Sequence, residues 1–361
     1  MSGVEDIRPV LVTGGAGFIG ANLADRLAHE GHRVIVYDAH LRTGVDRNLA
    51  WLQRRHGDRI EAIRADIRDI APLNAAVARA KAVFHMAAQV AVTTSLVDPH
   101  DDFTTNIAGT FNVLEALRTH APDVPLVFAS TNKVYGDLAD LDFTLAQDHY
   151  AAVDADIAAH GIGEDRPLDF HTPYGCSKGA ADQYVLDYAR SYGLKTAVLR
   201  MSCIYGQRQM GTEDQGWVAH FLIRALEGRA ITLYGDGHQV RDILDVDDAV
   251  AAYIAAWQRI DSIAGRAFNL GGGPDNAVSL RQLLSHMSAL LNRNIEIDWS
   301  DWRAGDQRYF VADTRAAQAA LGLPPRTDWR EGVARLARWL AEERGIALPA
   351  TAQADRAVQP A

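Results

Sequence analysis

Tyr174 and Lys178 stand four residues apart in the run Tyr174-Gly175-Cys176-Ser177-Lys178 of this 361-residue chain. On a helix, positions i and i+4 share a face, so the ammonium can sit beside the phenol. A nearby cation favours the phenolate and is expected to lower the tyrosine pKa from about 10 toward working pH. Tyr174 would then take the proton of a substrate hydroxyl while hydride leaves the same carbon. By itself Tyr-x-x-x-Lys also arises by chance on helices, so its context matters. Upstream lies Ala129-Ser130-Thr131-Asn132-Lys133-Val134-Tyr135-Gly136, a strand end whose hydroxyls can hydrogen-bond a reacting oxygen.

A second constellation precedes these residues. Thr13-Gly14-Gly15-Ala16-Gly17-Phe18-Ile19-Gly20 follows an apolar run and opens a helical pattern. Glycines permit a tight turn and close approach to a pyrophosphate, and the helix N-terminus offers free N–H groups. Gly14, Gly17, Phe18, Ile19 and Gly20 are therefore candidate cofactor contacts. Asp38 ends the next apolar run, where a carboxylate can accept hydrogen bonds from ribose hydroxyls and would repel a 2′-phosphate. That favours NAD, although Arg42, four residues on, could pair with such a phosphate. Asp66 and Ile67 after the third run, and Ala87, Ala88 and Gln89 after the fourth, complete the candidate cofactor set. Each could equally be a cap or turn residue.

The elements that must position these groups follow from hydrophobic patterning. Apolar runs at 9–14, 33–38, 60–66, 82–88, 124–130 and 195–202 are separated by amphipathic segments, including helices near 103–120 and 174–192. Near-continuously apolar strands joined by helices predict an α/β fold, a doubly wound parallel sheet of the Rossmann kind. This NAD-binding domain is expected over 1–200, with the chain returning to it near 240–260. Beyond residue 201, short helices near 217–228, 247–259, 279–291 and 330–344 mix with short strands such as 230–235 and 267–272. They predict a smaller mixed substrate lobe over 201–345 and a flexible tail over 346–361.

Composition narrows the classes. Hydrophobic residues make up 48% and charged residues 23%, as in an ordinary globular protein, and the net charge of −10 disfavours a nucleic-acid partner. A few arginines can still form a positive pocket for a small anionic substrate. The two cysteines, Cys176 and Cys203, provide no disulfide framework. The start lacks the basic-then-apolar pattern of a signal peptide, and no apolar run approaches the ~20 residues that span a bilayer. No membrane association and no metal are expected, and a cytoplasmic location is.

The segment 129–136 resembles the Ser-Ser-x-x-Val-Tyr-Gly stretch of the extended short-chain dehydrogenase/reductase family. TGGAGFIG, HMAAQ, YGCSK and VRDILDVDD extend the likeness in the same order over nearly the whole chain. The resemblance implies a catalytic trio of Thr131, Tyr174 and Lys178, with Lys178 also holding the nicotinamide ribose. Asn106 falls where members often keep an asparagine that supports the site; it could equally be a helix residue bonding backbone. Members that act on nucleotide sugars keep arginines like Arg241 and Arg303, expected to meet the diphosphate or the nucleotide ribose. The alternative for both is an ion pair joining lobes. Arg208 and Arg308 are weaker candidates for the same pocket.

Departures from the family pattern imply the reaction. Dehydratases carry an Asp-Glu pair after the active threonine, where this chain has Asn132-Lys133; the active-site glutamate of the decarboxylating branch is also missing. Reversible oxidation and hydride return remain, which is epimerisation with NAD retained. The 4-epimerases usually place asparagine where Cys203 stands, and the stretch 132–173 is longer than theirs. With STNKVYGD, RMSCIYG and TEDQGWVAHF, these features resemble most the branch that epimerises CDP-sugars at C2. His171, Asn132, Cys203 and Gln215 become candidate substrate contacts, as does Trp217, which could instead be core. The resemblance also implies a homodimer or homotetramer formed through the helices near 103–120 and 174–192.

Overall fold

The computed structural model describes residues 6–303 and 305–349. Seven parallel strands form the central sheet, in the order Arg266–Leu270, Thr196–Met201, Leu126–Thr131, Ala82–His85, Val10–Thr13, Val34–Asp38 and Ile60–Arg64. Five of these seven are built almost wholly of buried residues, the pattern of a sheet covered on both faces.

Each face is covered by helices whose apolar residues recur at helical spacing. In the helix Phe18–His29, residues Gly20, Ala21, Leu23, Ala24, Leu27 and Ala28 are buried, an i, i+3, i+4, i+7 stripe laid against the sheet. The helix Val246–Gln258 packs on the same face, where Tyr253 meets Phe84 edge to face. The helices Ile70–Arg79, Gly109–His120 and Thr172–Tyr192 cover the other face.

The strand Arg266–Leu270 corrects the sequence reading, which put 267–272 in the smaller lobe. It pairs in register with Thr196–Met201 as the seventh strand of the main sheet. A five-residue strand carries no signal for which sheet it joins, and the helix 246–258 before it is what returns the chain there.

The smaller lobe has its own core, built from the helices Trp217–Leu226, Leu280–Leu291 and Trp329–Arg344. Its strand Val240–Asp245 pairs with Cys203–Tyr205 and Tyr309–Phe310 in parallel and with Ala277–Ser279 antiparallel. Ser279 caps the helix Leu280–Leu291 in a reciprocal capping box with Gln282. The expected flexible tail starts too early. Gly345 (φ +64°) ends the last helix, the Ile346 N–H bonds the Ala341 carbonyl, and Ile346 and Leu348 pack on this core. The rest of that tail, 350–361, lies outside the described residues. No helix among the described residues is long and apolar enough to cross a membrane.

Candidate functional site

The strand order reverses direction between Val10–Thr13 and Ala82–His85, and a crevice opens at the carboxyl ends of such strands. Here that crevice is one end of a cleft of about 670 Å³ that runs on into the smaller lobe. Gly14, Gly17, Phe18, Ile19, Gly20, Asp38, Arg42, Asp66, Ile67, Ala87 and Ala88 all line it.

The glycine turn is shaped by near-contact. Gly14 has φ +65°, and a Cβ there would meet the Ala87 nitrogen at 2.7 Å; one on Gly20 would meet the Gly14 carbonyl oxygen at 2.2 Å. Asp38 accepts hydrogen bonds from the Ala16 N–H (3.1 Å) and the His40 N–H (2.8 Å). Each carboxylate oxygen keeps acceptor capacity for ribose hydroxyls. A turn with no room for a Cβ at Gly14 or Gly20, a helix N-terminus and a carboxylate at the adjacent strand end together fit a dinucleotide. Asp66 lines the cleft while its carboxylate bonds Arg68.

Midway along the cleft the proton-transfer groups converge. Thr131 ends its strand on the cleft wall, its hydroxyl near enough to the Tyr174 phenol to favour the phenolate. Tyr174 lies in the first turn of the helix Thr172–Tyr192, and its backbone N–H donates to the buried Ser95 hydroxyl at 3.2 Å. Thr172, which opens that helix, has φ +62°, a strained value for a β-branched residue. One turn on, the Lys178 ammonium donates to the Ala129 carbonyl at 2.6 Å and lies 4.2 Å from the Phe128 ring centre.

Electrostatics here depart from the sequence expectation. Burial pushes the Tyr174 phenol up to about 12; the Thr131 hydroxyl and the Arg42 charge only partly oppose it. Burial also pulls Lys178 down to about 7 against the carboxylates of Asp182 and Asp102. Desolvation outweighs the cation because the ammonium is directed to a backbone carbonyl rather than to the phenol.

Behind the cleft, two buried networks fix the helix to the sheet. Asn106 sits in a π-helical turn, Thr104–Ala108. Its side chain takes the Gln89 N–H and donates to the Gln89 carbonyl, Asp102 and Ser177. The supporting asparagine is therefore a clamp between the fourth strand's loop and the Tyr174 helix. Asp182, four residues after Lys178, pairs with Arg200 at 3.0 Å and accepts from the Ser130 hydroxyl at 2.7 Å.

The smaller lobe closes the far end. Asn132, Cys203, Gln215, Trp217, Arg241 and Arg303 line the cleft there. The Trp217 indole donates to the Cys203 sulfur at 3.4 Å. Arg241 pairs with Asp306 at 2.6 Å, and Arg303 reaches Glu213 at 3.3 Å and Asp214 at 3.7 Å.

Other candidates are placed elsewhere. The Gln89 side chain turns back onto Ala91 and is not part of the lining. His171 also lies off the cleft, between Asp137 (3.5 Å) and Asp169 (3.0 Å), at the entry of the Tyr174 helix. Arg208 reaches the cleft wall, but its guanidinium stacks on Trp51 at 4.0 Å. Arg308 faces the Tyr150 ring instead.

Sequence reasoning missed Glu213 and Asp214 as partners of Arg303, although both fall in the quoted TEDQGW run. It also missed Tyr234, whose ring lies 3.8 Å from the Arg303 guanidinium carbon.

Residues 10–271 match the NAD dependent epimerase/dehydratase family. The chain is 40% identical over 337 residues to CDP-paratose 2-epimerase of Salmonella typhi, covering 91% of this chain and 98% of that protein. Among solved structures, UDP-glucose 4-epimerase of Thermotoga maritima with UDP-glucose aligns at TM-score 0.80 and 30% identity, covering 93% and 99% of the two chains. UDP-glucose 4-epimerase of Thermus thermophilus in complex with NAD aligns at TM-score 0.77 and 31% identity, covering 92% and 98%. The cleft's glycine turn, its Asp38 and its Tyr174–Lys178 pair thus belong to an NAD-dependent enzyme, a member of the NAD dependent epimerase/dehydratase family.

Proposed function

We propose that this enzyme epimerises a nucleotide sugar at C2 by transient oxidation with tightly held NAD, its substrate pair being CDP-paratose and CDP-tyvelose. The observation that carries the reading is that Thr131 and Tyr174 line the same cleft next to the turn Asn132–Tyr135. That turn presents an amide and an ammonium where elimination would need a carboxylic acid and a carboxylate. The reading for C2 and a CDP-sugar is supported by the 40% identity to CDP-paratose 2-epimerase and by Cys203 in the pocket.

NAD, when bound, would supply a reversible hydride acceptor. Gly14, Gly17, Phe18, Ile19, Gly20, Asp38 and Ala87 would hold it, with Lys178 on the nicotinamide ribose. Thr131 orients the sugar hydroxyl toward Tyr174, which exchanges its proton. Asn132, Cys203, Gln215, Arg241 and Arg303 hold the substrate. Arg241 and Arg303 now face carboxylates, so a diphosphate would exchange with Glu213 and Asp214 and share Arg241 with Asp306.

We also place the enzyme in the cytoplasm as a homodimer or homotetramer. Phe111, Tyr184 and Tyr192 are exposed on the helices Gly109–His120 and Thr172–Tyr192, which suits a partner copy there.

Incubation with CDP-paratose, CDP-tyvelose, UDP-glucose and UDP-galactose, with products identified by NMR, tests the reading. Interconversion of the CDP pair is expected. Turnover of the UDP pair alone would make the enzyme a 4-epimerase, the reading favoured by its structural likeness to the Thermotoga maritima enzyme.

A further inference from the structure

We propose that Lys133 is an anion-binding, specificity-determining residue that holds the phosphate joined to the sugar of the nucleotide-sugar substrate, an assignment that rests on the reading above. Its backbone N–H donates to the Thr131 hydroxyl oxygen at 3.2 Å, which ties its position to the proton-transfer group. The side chain then crosses the cleft, and the ammonium donates to the Gly305 carbonyl of the smaller lobe at 3.2 Å.

The charge balance of this end of the cleft singles Lys133 out. Arg241 has Asp306 as its counter-ion, and Arg303 has Glu213 and Asp214. Among the described residues, the side-chain partner of Lys133 is a neutral carbonyl, which uses one of the three ammonium donors. A half-buried, unneutralised ammonium is unfavourable, and an arriving phosphate oxygen supplies what it lacks.

The charged and titratable groups facing it come from every side of the pocket, with the Cys203 thiol raised by burial and so neutral near pH 7. Arg241 projects from the strand Val240–Asp245, Cys203 from the strand Cys203–Tyr205, Asp306 from the segment after Gly305, and Asp137 from just past its own turn. Burial and the Arg241 charge pull the ammonium down to about 8, the two acidic residues and the thiol opposing. A phosphate between Lys133 and Arg241 would favour the charged form of the lysine and offer each cation an oxygen.

The location bears on which carbon reacts. Thr131 caps the turn that carries Lys133, so the reach of one lysine side chain separates a phosphate on its ammonium from the hydroxyl that Thr131 orients. In a pyranose, C2 adjoins the phosphate-bearing anomeric carbon, whereas C4 lies across the ring. Lys133 therefore suits oxidation at C2.

The test is calorimetric titration of NAD-loaded protein with CDP, CDP-glucose and CMP, comparing the native chain with Lys133→Met and Lys133→Arg. The Met variant should lose about tenfold or more in affinity for CDP and CDP-glucose, as expected for a lost charge-assisted hydrogen bond. Affinity for CMP should stay the same, and Arg should restore most of the loss. Native affinity for CDP-glucose should also weaken between pH 7 and pH 9, as the ammonium loses its proton, while the Met variant should show no such trend. Unchanged diphosphate affinity in the Met variant would overturn the assignment. So would an equal loss for CMP, which would mark a structural role. Because binding is read without turnover, the outcome is separable from the product analysis, which alone decides the epimerised carbon.

Discussion

Tyr174 shows how far residue types and spacing carry the chemistry. The i, i+4 pair and the upstream threonine were legible because helical periodicity and a strand end define where side chains point. The protonation balance was not legible, because it depends on burial and on which carbonyl takes the Lys178 ammonium. At about 12, the free-chain phenol is neutral at physiological pH. Replacing Tyr174 with Phe removes the proton carrier and leaves the ring in place. Turnover should fall by roughly 10²–10⁴-fold with NAD still bound, as measured by rate assay and by nicotinamide released on denaturation. Activity close to that of the native chain would remove Tyr174 from the proton path. Gln89 and His171 show the opposite limit. Each lies beside a functional segment in sequence, yet their side chains turn to Ala91 and to the Asp137–Asp169 pair.

Elements were read best where long periodicity or glycine geometry constrained them. The alternation of apolar runs and amphipathic helices is enough to give a parallel sheet, because each strand must be covered on both faces. The π-helical turn at Asn106 left no trace in the sequence, since the helix before it, Pro99–Phe103, is too short for a change of phase in its apolar stripe to show. The strand Arg266–Leu270 was misplaced because five residues do not encode a partner. At the glycine turn the element and the chemistry meet. A methyl group on Gly20 would press on the Gly14 carbonyl, which is backbone and cannot swing aside. Gly20→Ala should therefore displace the turn from the helix and yield protein with little bound NAD; a variant purified with a full complement would show that the close approach is dispensable.

For the whole molecule, the site depends on buried polar ties between layers that charge composition does not reveal. His85 is one of them. Fully buried, it bridges the Thr13 hydroxyl (2.7 Å) and the Thr110 hydroxyl (3.1 Å), linking two central strands to a covering helix. Burial, with a smaller effect of Lys178, holds the imidazole down at about 3, far below its usual 6.5. Between those two values the unfolded chain binds the extra proton, so stability falls as the pH drops from 6.5 toward 3. Thermal unfolding across that window should show Tm falling more steeply for the native chain than for His85→Phe. Parallel slopes would show that His85 does not carry this acid sensitivity.

The central claim, a redox-neutral cycle in which one hydride leaves and returns, is tested most directly with substrate deuterated at C2. CDP-paratose carrying that label would be incubated with the purified enzyme in ordinary water and followed by NMR and by absorbance at the NADH band. The account predicts CDP-tyvelose that keeps deuterium at C2, with no net accumulation of NADH. Loss of the label to solvent, or NADH formed in proportion to product, would contradict it.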